Sequence, residues 1–145
     1  IISMKKKKVH KLQNFYHEDF QIICIASHQN DYRLSWALNE KLNLGLQKAD
    51  DLKIEDKKYE IKHQFTKYSY EDSTQTLRYH LIANKNPQGF LFPDMKNIDY
   101  LLKIEGDMNE EDISSLIRVI RKIDFVIIAF KLDNLREKHR KKLIF

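Results

Sequence analysis

The chain has 145 residues, enough for one domain with one substantial hydrophobic core. Its 3 glycines and 2 prolines exclude a glycine-rich phosphate loop, and its single cysteine, Cys24, excludes an internal disulfide and a cysteine zinc cluster. No apolar stretch reaches the roughly 18 residues that a membrane span requires, so we expect a cytoplasmic protein.

The positive charge is concentrated at the two ends of the chain, which has a formal net charge of +5. Residues 1–11 carry five lysines and no acidic residue, and residues 133–145 carry five basic and two acidic residues. Residues 12–132 carry 16 basic and 19 acidic residues. This layout predicts a flexible basic N-terminal segment (1–11), a single α+β domain (12–132) and a basic C-terminal tail (133–145). The basic ends either keep the protein soluble or bind RNA or an acidic partner.

A strand and a helix are predicted at the start of the domain. The apolar run of residues 20–26 predicts a strand that is covered on both faces. Asn30 or Asp31 can cap the helix that follows, because a short side-chain oxygen accepts hydrogen bonds from free backbone N–H groups. The apolar side chains of this helix are Leu34, Ala37, Leu38 and Leu42. We expect Gly45 to end it in a left-handed conformation.

Alternating apolar and polar residues predict antiparallel strands in the middle of the chain. The strands predicted on this basis cover residues 46–54, 59–65, 77–83 and 98–104. Residues 71–73 are predicted to form a turn, and residues 84–93 a loop that contains Asn-Pro and a glycine.

The last third of the chain repeats the pairing of a helix with an apolar strand. Asn109 is predicted to begin a helix, whose apolar stripe is Ile113, Leu116, Ile117 and Ile120. The uninterrupted apolar run of residues 125–130 predicts a second central strand. The predicted order is β-α-β-β-β-β-α-β. Two helices cannot cover both faces of a wide sheet, so we predict an α+β fold with an antiparallel or mixed sheet of five to six strands and both helices on one face.

The side chains with reactive chemistry form no recognisable catalytic motif. The six histidines match no metal-binding spacing. His63 and His80 fall on neighbouring predicted strands, where ordinary hydrogen bonding is their expected role. Cys24 lies inside an apolar run, and burial makes a thiol unreactive. We therefore predict no catalytic residue, no metal site and no cofactor.

Residues 92–100, which read Phe-Pro-Asp-Met-Lys-Asn-Ile-Asp-Tyr, are the most distinctive segment. The segment resembles the motif that names the IPExxxVDY family, a group of small uncharacterised proteins of Bacteroidota. Pro93, Asp99 and Tyr100 match that motif, whereas phenylalanine, aspartate and isoleucine replace its leading isoleucine, its glutamate and its valine. Shorter similarities extend the resemblance over the chain from Met4 onwards. The resemblance implies no established activity, so it assigns no catalytic residue.

Two interpretations of this segment remain open. Strand alternation places Tyr100 in the core and Asp99 on the opposite face, where it can pair with a lysine or arginine on a neighbouring strand. If the segment instead forms a ligand or partner site, its members are Arg33, Asp94, Asp99 and Tyr100.

The sequence ends on three apolar residues, Leu143, Ile144 and Phe145. A disordered tail would gain nothing from them, whereas full burial of each contributes roughly 1.5–3 kcal/mol. We therefore predict that they dock along an edge strand, or in a groove of the same chain or of a partner.

Three functions are compatible with the sequence. The favoured interpretation is a non-enzymatic cytoplasmic interaction protein whose partner is another protein or a second copy in a homodimer. The alternative is an RNA- or ribosome-associated accessory factor that uses its basic ends. The third is a small-ligand binder or enzyme around Asp99 and Tyr100. A membrane and a metal are not among the expected partners.

Overall fold

The structure, a computed structural model, describes residues 20–56 and 58–145, so the predicted flexible segment (1–11) lies outside the described residues. The α+β fold class is confirmed: in the described residues, three helices accompany a six-stranded antiparallel sheet. The elements are β1 (Phe20–Ser27), α1 (Asp31–Leu42), β2 (Gln47–Lys48), β3 (Leu52–Asp56), β4 (Ile61–Phe65), β5 (Lys67–Asp72), β6 (Leu77–Ala83), β7 (Lys85–Asn86), β8 (Gly89–Phe90), β9 (Tyr100–Glu105), α2 (Glu110–Arg121), β10 (Val126–Lys131) and α3 (Glu137–Lys142). None of the described helices is long and apolar enough to cross a bilayer.

The main sheet has the strand order β10-β1-β9-β6-β5-β2, and β3–β4 and β7–β8 form separate hairpins. Helices α1 and α2 cover one face of the sheet, which we call the helical face. The opposite face, the second face, is covered by residues 91–98, the base of the β3–β4 hairpin and the chain from Leu135 to Ile144. The core of the helical face includes Ile23, Ile25, Leu34, Leu38, Tyr79, Leu81, Leu102, Ile104, Ile113, Ile117 and Ile120.

The predicted helix starts are confirmed, but one predicted helix end is wrong. Asn30 and Asn109 each accept a hydrogen bond from the backbone N–H three residues later, at 2.9 and 2.8 Å. Helix α1 ends at Asn43, which takes the left-handed conformation with φ 57° and ψ 48°. Gly45 lies beyond it against the Tyr70 ring, where a Cβ atom would stand 3.1 Å from the ring carbons. Close packing, rather than a left-handed turn, accounts for a glycine there.

Between residues 46 and 105 the chain forms eight strands, β2 to β9, where four were predicted. Residues 46–54 do not form a single strand, because β2 joins the main sheet and β3 pairs with β4. Strand β5, which was not predicted, pairs with β6. The sequence predicted that His63 and His80 lie on neighbouring strands. This prediction is wrong, because β4 pairs with β3 and β6 pairs with β5 and β9.

Strand β10 occupies a different position from the one predicted. It pairs with β1 on one side and forms the edge of the main sheet. Ile127 is 56% exposed and Ile128 is 42% exposed. The expectation of a central strand was wrong, because an apolar run shows that a strand has apolar neighbours without showing how many strands pair with it.

The C-terminal tail is folded onto the second face. It contains α3, which was not predicted, and Leu143 is completely buried with Phe20, Ile22 and Phe92. Leu143 therefore packs against a face of its own sheet and not along an edge. Phe145 keeps 41% of its surface exposed, and docking of this segment to a partner stays a prediction.

Candidate functional site

The segment that resembles the family motif is organised by Asn84, a residue that sequence reasoning had treated only as the start of a loop. The Asn84 side chain is buried, and its Nδ2 donates to the carbonyl oxygens of Met95 and Ile98 at 3.0 and 2.8 Å. Its Oδ1 accepts from the Phe92 backbone N–H at 2.7 Å. One amide side chain thus fixes the loop of residues 92–98 next to the end of β6, because it satisfies three backbone groups that the loop buries.

Asp99 and Tyr100, two of the four candidate site residues, both bond to the chain at the C-terminal end of β1. Asp99 forms an ion pair with Lys85, a lysine as predicted but one on β7 rather than on a strand next to β9. It also accepts a hydrogen bond from the Ser27 backbone N–H at 2.8 Å. The Tyr100 hydroxyl donates to the carbonyl oxygen of Gln29 at 2.7 Å. Burial raises the pKa of Tyr100 to about 12. Both side chains line a polar cleft of about 270 Å³, and both fasten the chain that leaves β1.

Arg33 and Asp94 have other partners. The Arg33 guanidinium lies 5.6 Å from the centre of the Phe125 ring, just beyond α2. Asp94 lies 3.3 Å from the Arg136 guanidinium and 3.0 Å from the His139 ring, in the C-terminal tail. The structure therefore brings two of the four proposed site residues together and gives the other two separate structural contacts.

His139 is buried where α3 meets the second face. Its ring stacks on Phe92 with centres 4.1 Å apart, and its Nε2 lies 3.0 Å from Asp94 Oδ1. The nitrogen has no well-aligned hydrogen bond, so we regard the contact with Asp94 as mainly coulombic. Burial lowers the pKa of His139, against the opposing effect of Asp94. The stacking on Phe92 and the contact with Asp94 make His139 a structural anchor of α3.

A polar cluster lies in the middle of the second face, where sequence alternation had predicted side chains in water. Lys103 is only 1% exposed, and its Nζ lies 2.8 Å from Glu105 Oε2 and donates to the carbonyl oxygen of Leu143. His80 lies between this pair and Ser69: its Nε2 is 3.3 Å from Glu105 and its Nδ1 is 2.7 Å from the Ser69 hydroxyl. The cluster holds the C-terminal segment against the sheet.

Electrostatics in this cluster favour the ionised form of Glu105. Burial alone would raise the pKa of Glu105, but hydrogen bonds from His80 and Lys103 outweigh it and lower the pKa to about 2. Burial also lowers the pKa of Lys103, an effect that Glu105 opposes. The Phe145 ring closes the cluster, with its centre 3.8 Å from Lys103 Nζ and 4.3 Å from Lys67 Nζ.

The outer edge of β10 is a second surface, and a side chain of α2 reaches one of its backbone groups. The Leu132 N–H donates to the Ile22 carbonyl, so even-numbered residues from 128 to 132 bond to β1. Ala129 and Lys131 therefore direct their N–H and C=O groups outward. The Ala129 carbonyl accepts from Arg121 Nε at 2.8 Å. Among the described residues, no strand pairs with this side of β10.

A β-bulge at Ile127 explains why two adjacent isoleucines of this strand are exposed. Ala26 is opposite Ile128 whereas Ser27 is opposite Val126, so Ile127 is an extra residue in β10. Val126 and Ala129 both pack against the core of the helical face. Two residues separate them instead of one, and these two, Ile127 and Ile128, remain outside that core.

Other reactive groups do not converge on a centre. Cys24 is buried as predicted, and burial raises its pKa to about 12. The described residues contain no cluster of three or more histidine, cysteine, aspartate or glutamate side chains that could hold a metal ion. Comparison with known proteins found no family model and no curated protein that matches the chain. The resemblance to the IPExxxVDY family therefore remains an expectation from residues 92–100.

Proposed function

We propose that the protein is a non-enzymatic interaction protein that binds an extended polypeptide segment along the open edge of β10. The observation that carries this proposal is the exposure of two adjacent isoleucines, Ile127 and Ile128, on an edge strand. Edge strands in natural proteins are usually protected by charges, prolines, bulges or a covering segment. An edge that keeps large apolar side chains in water is typical of a surface that another chain covers.

The protective devices present on β10 do not hide these isoleucines. Lys131 places a charge on the strand, but its Nζ is held 2.6 Å from the Glu110 carboxylate of α2. The bulge at Ile127 interrupts the ladder at one end only, and it leaves the isoleucines exposed. Residues 128–132 continue the regular ladder with β1, and on their outer side the Ala129 carbonyl already accepts a hydrogen bond from Arg121 Nε.

The chemistry of strand addition fits the groups that this regular part presents. The outward backbone groups of Ala129 and Lys131 can supply main-chain hydrogen bonds that are independent of the partner's sequence. Side chains at Ile128, Phe130 and Leu132 share one face, because successive side chains of a strand alternate. A partner strand would contact this apolar row, which gives the edge a preference for apolar, β-branched residues.

Selection from a library of displayed random peptides tests this proposal. We expect the wild-type protein to enrich extended peptides with β-branched residues, and Ile128→Lys to abolish the enrichment because a charge on the edge disfavours pairing. Ile61→Lys is the matched control, since Ile61 is 45% exposed on the β3–β4 hairpin, away from β10. Failure to enrich any peptide, or equal enrichment by Ile128→Lys, would refute strand addition.

RNA binding by the basic ends is a second candidate function, which the composition of α3 favours. The last turn of α3 contains His139, Arg140, Lys141 and Lys142. Lys138 and Lys141 are exposed, whereas His139 is buried. Titration of a labelled single-stranded RNA at several salt concentrations tests this function. Binding through phosphates would give a steep salt dependence, and Lys138→Glu with Lys141→Glu would reduce its slope by about 0.7 for each phosphate that is no longer neutralised.

A further inference from the structure

We infer that the segment which covers β10 is β10 of a second copy, paired antiparallel about a two-fold axis through Phe130. This inference rests on the proposed function and names the partner of the same edge. The pairing would join two six-stranded sheets into one continuous sheet across the axis. Three features of β10 support it: the direction of its backbone groups, the order of its side chains and the placement of its bulge and charges.

The outward backbone groups of β10 match each other under this symmetry. In an antiparallel pair centred on Phe130, Ala129 of one copy is opposite Lys131 of the other, and both residues direct their N–H and C=O groups across the interface. These residues therefore form complete pairs of hydrogen bonds on either side of the axis. The Ala129 carbonyl keeps its bond from Arg121, because a carbonyl oxygen can accept two hydrogen bonds.

The side chains of β10 are also self-complementary about this axis. Phe130 is opposite Phe130 of the second copy, and Ile128 is opposite Leu132. These facing pairs lie on the second face and all of them are apolar. None of the three side chains is fully buried in one chain, so the pairing removes further apolar surface from water.

The bulge excludes the two registers whose two-fold axis passes through Ala129 or Ile128 instead of Phe130. An axis through Ile128 would place Ile127 opposite Ala129, and an axis through Ala129 would place Ile127 opposite Lys131. Ile127 is the extra residue of the bulge, where the ladder is disrupted and its backbone cannot complete a regular pair. The register about Phe130 uses only the regular residues 128–132.

Charge excludes the register centred one residue later. An axis through Lys131 would place the two Lys131 side chains directly opposite each other, and like charges in that position are destabilising. The register about Phe130 places each Lys131 opposite the small Ala129, where it can keep its ion pair with Glu110.

The opposite edge of the sheet cannot compete for the same role. Strand β2 has two residues, Gln47 and Lys48, and both are exposed and polar. Short polar edges of this kind resist pairing. The area available on β10 is that of one six-residue strand, at the low end for specific interfaces. We therefore expect a dimer that dissociates on dilution through about the micromolar range.

Cysteine substitutions on β10 of the full chain test the axis without removal of the central phenylalanine. Directly opposed residues of a non-hydrogen-bonded antiparallel pair have Cα atoms about 4.5 Å apart, within the range of a disulfide. A mixture of the Ile128→Cys and Leu132→Cys proteins should therefore form a disulfide heterodimer under mild oxidation. Either protein alone is the matched control, because two copies of Ile128 would be about 13 Å apart, too far for a disulfide. Cys24 is buried and should not react.

Each outcome of this experiment bears on a different claim. Rapid cross-linking of the mixture alone, with a wild-type dimer mass by light scattering that falls on dilution, is the expected result. Cross-linking of Ile128→Cys or Leu132→Cys with itself would overturn the register. A monomeric wild-type mass at high concentration, without cross-linking of the mixture, would overturn the second copy as partner. After that last result, strand addition by another polypeptide would still be supported if the displayed peptides bound to β10. It would be refuted as well if they did not bind.

Discussion

The helical face and the second face of the sheet differ in what holds their covering layers. On the helical face, α1 and α2 pack through aliphatic side chains such as Leu38 and Ile117, and an asparagine caps the start of each helix. On the second face, buried polar side chains hold the covering segments by hydrogen bonds: Asn84 bonds to the loop of residues 92–98, and Lys103 bonds to the C-terminal segment at Leu143.

This difference follows from the segments that cover each face. A helix satisfies its own backbone groups, so burial of its apolar side is enough to fix it. A loop or a chain terminus brings backbone groups that have no internal partner, and burial of such groups requires a side chain that bonds to them. We expect the helical face to be tolerant of conservative apolar changes and the second face to depend on single polar residues.

Removal of the Lys103 charge should have the largest effect. Lys103→Met keeps most of the apolar volume but leaves Glu105 and the Leu143 carbonyl without their shared cation. Loss of one partner of a buried pair costs about 3–5 kcal/mol, so we expect a loss of unfolding free energy of that size in urea titrations.

Lys48→Met is the matched control for this experiment. Lys48 also forms a close ion pair, with its Nζ 3.0 Å from Asp51 Oδ1, but the Lys48 side chain is 50% exposed and lies far along the sheet from β10. Surface pairs contribute about 0–1 kcal/mol, so this variant should lose less than about 1 kcal/mol. Equal losses for the two variants would show that the second face does not depend on its buried cation.

Acid should weaken the second face before the helical face. The pKa of Glu105 is lowered from 4.5 to about 2, so the stabilisation is complete above pH 4.5 and is lost as the pH falls towards 2. A shift of this size corresponds to about 3 kcal/mol. Glu105→Gln should be less stable than wild type at about pH 6, and the two unfolding free energies should converge near pH 2. A constant difference over that range would contradict the depressed pKa.

The sequence predicted the helical face well, for a physical reason. The alternation in β6 and β9, and the helical spacing of Ile113, Ile117 and Ile120, repeat the geometry of the elements themselves. Local periodicity is enough where the partner is another regular element. The fold class could be predicted on this basis, and both helix starts could be predicted from asparagine side chains that cap them.

The second face and the edge could not be predicted in the same way. Lys103 alternates with apolar residues as a solvent-exposed lysine would, and the segment that buries it lies 40 residues further along the chain. Strand β10 has the composition of a central strand, and its position at the edge depends on strand order, which no local pattern contains. The open edge of β10 could not be predicted as a docking site for this reason, although the apolar run of residues 125–130 had been identified.

Removal of a single hydroxyl group, that of Tyr100, should have a smaller effect than the changes at Lys103 and Glu105. Tyr100 belongs to the segment of residues 92–100, and its side chain lies on the helical face. Its ring packs in the apolar core, and its hydroxyl donates to the Gln29 carbonyl at 2.7 Å. Tyr100→Phe removes that hydrogen bond while the ring remains, so we expect a loss of about 1 kcal/mol in unfolding free energy. Tyr100→Ala also removes the ring and should cost about 3–5 kcal/mol. If Tyr100→Phe were as damaging as Tyr100→Ala, the hydroxyl rather than the ring would fix this end of β1, and a polar attachment would be decisive on the helical face as well.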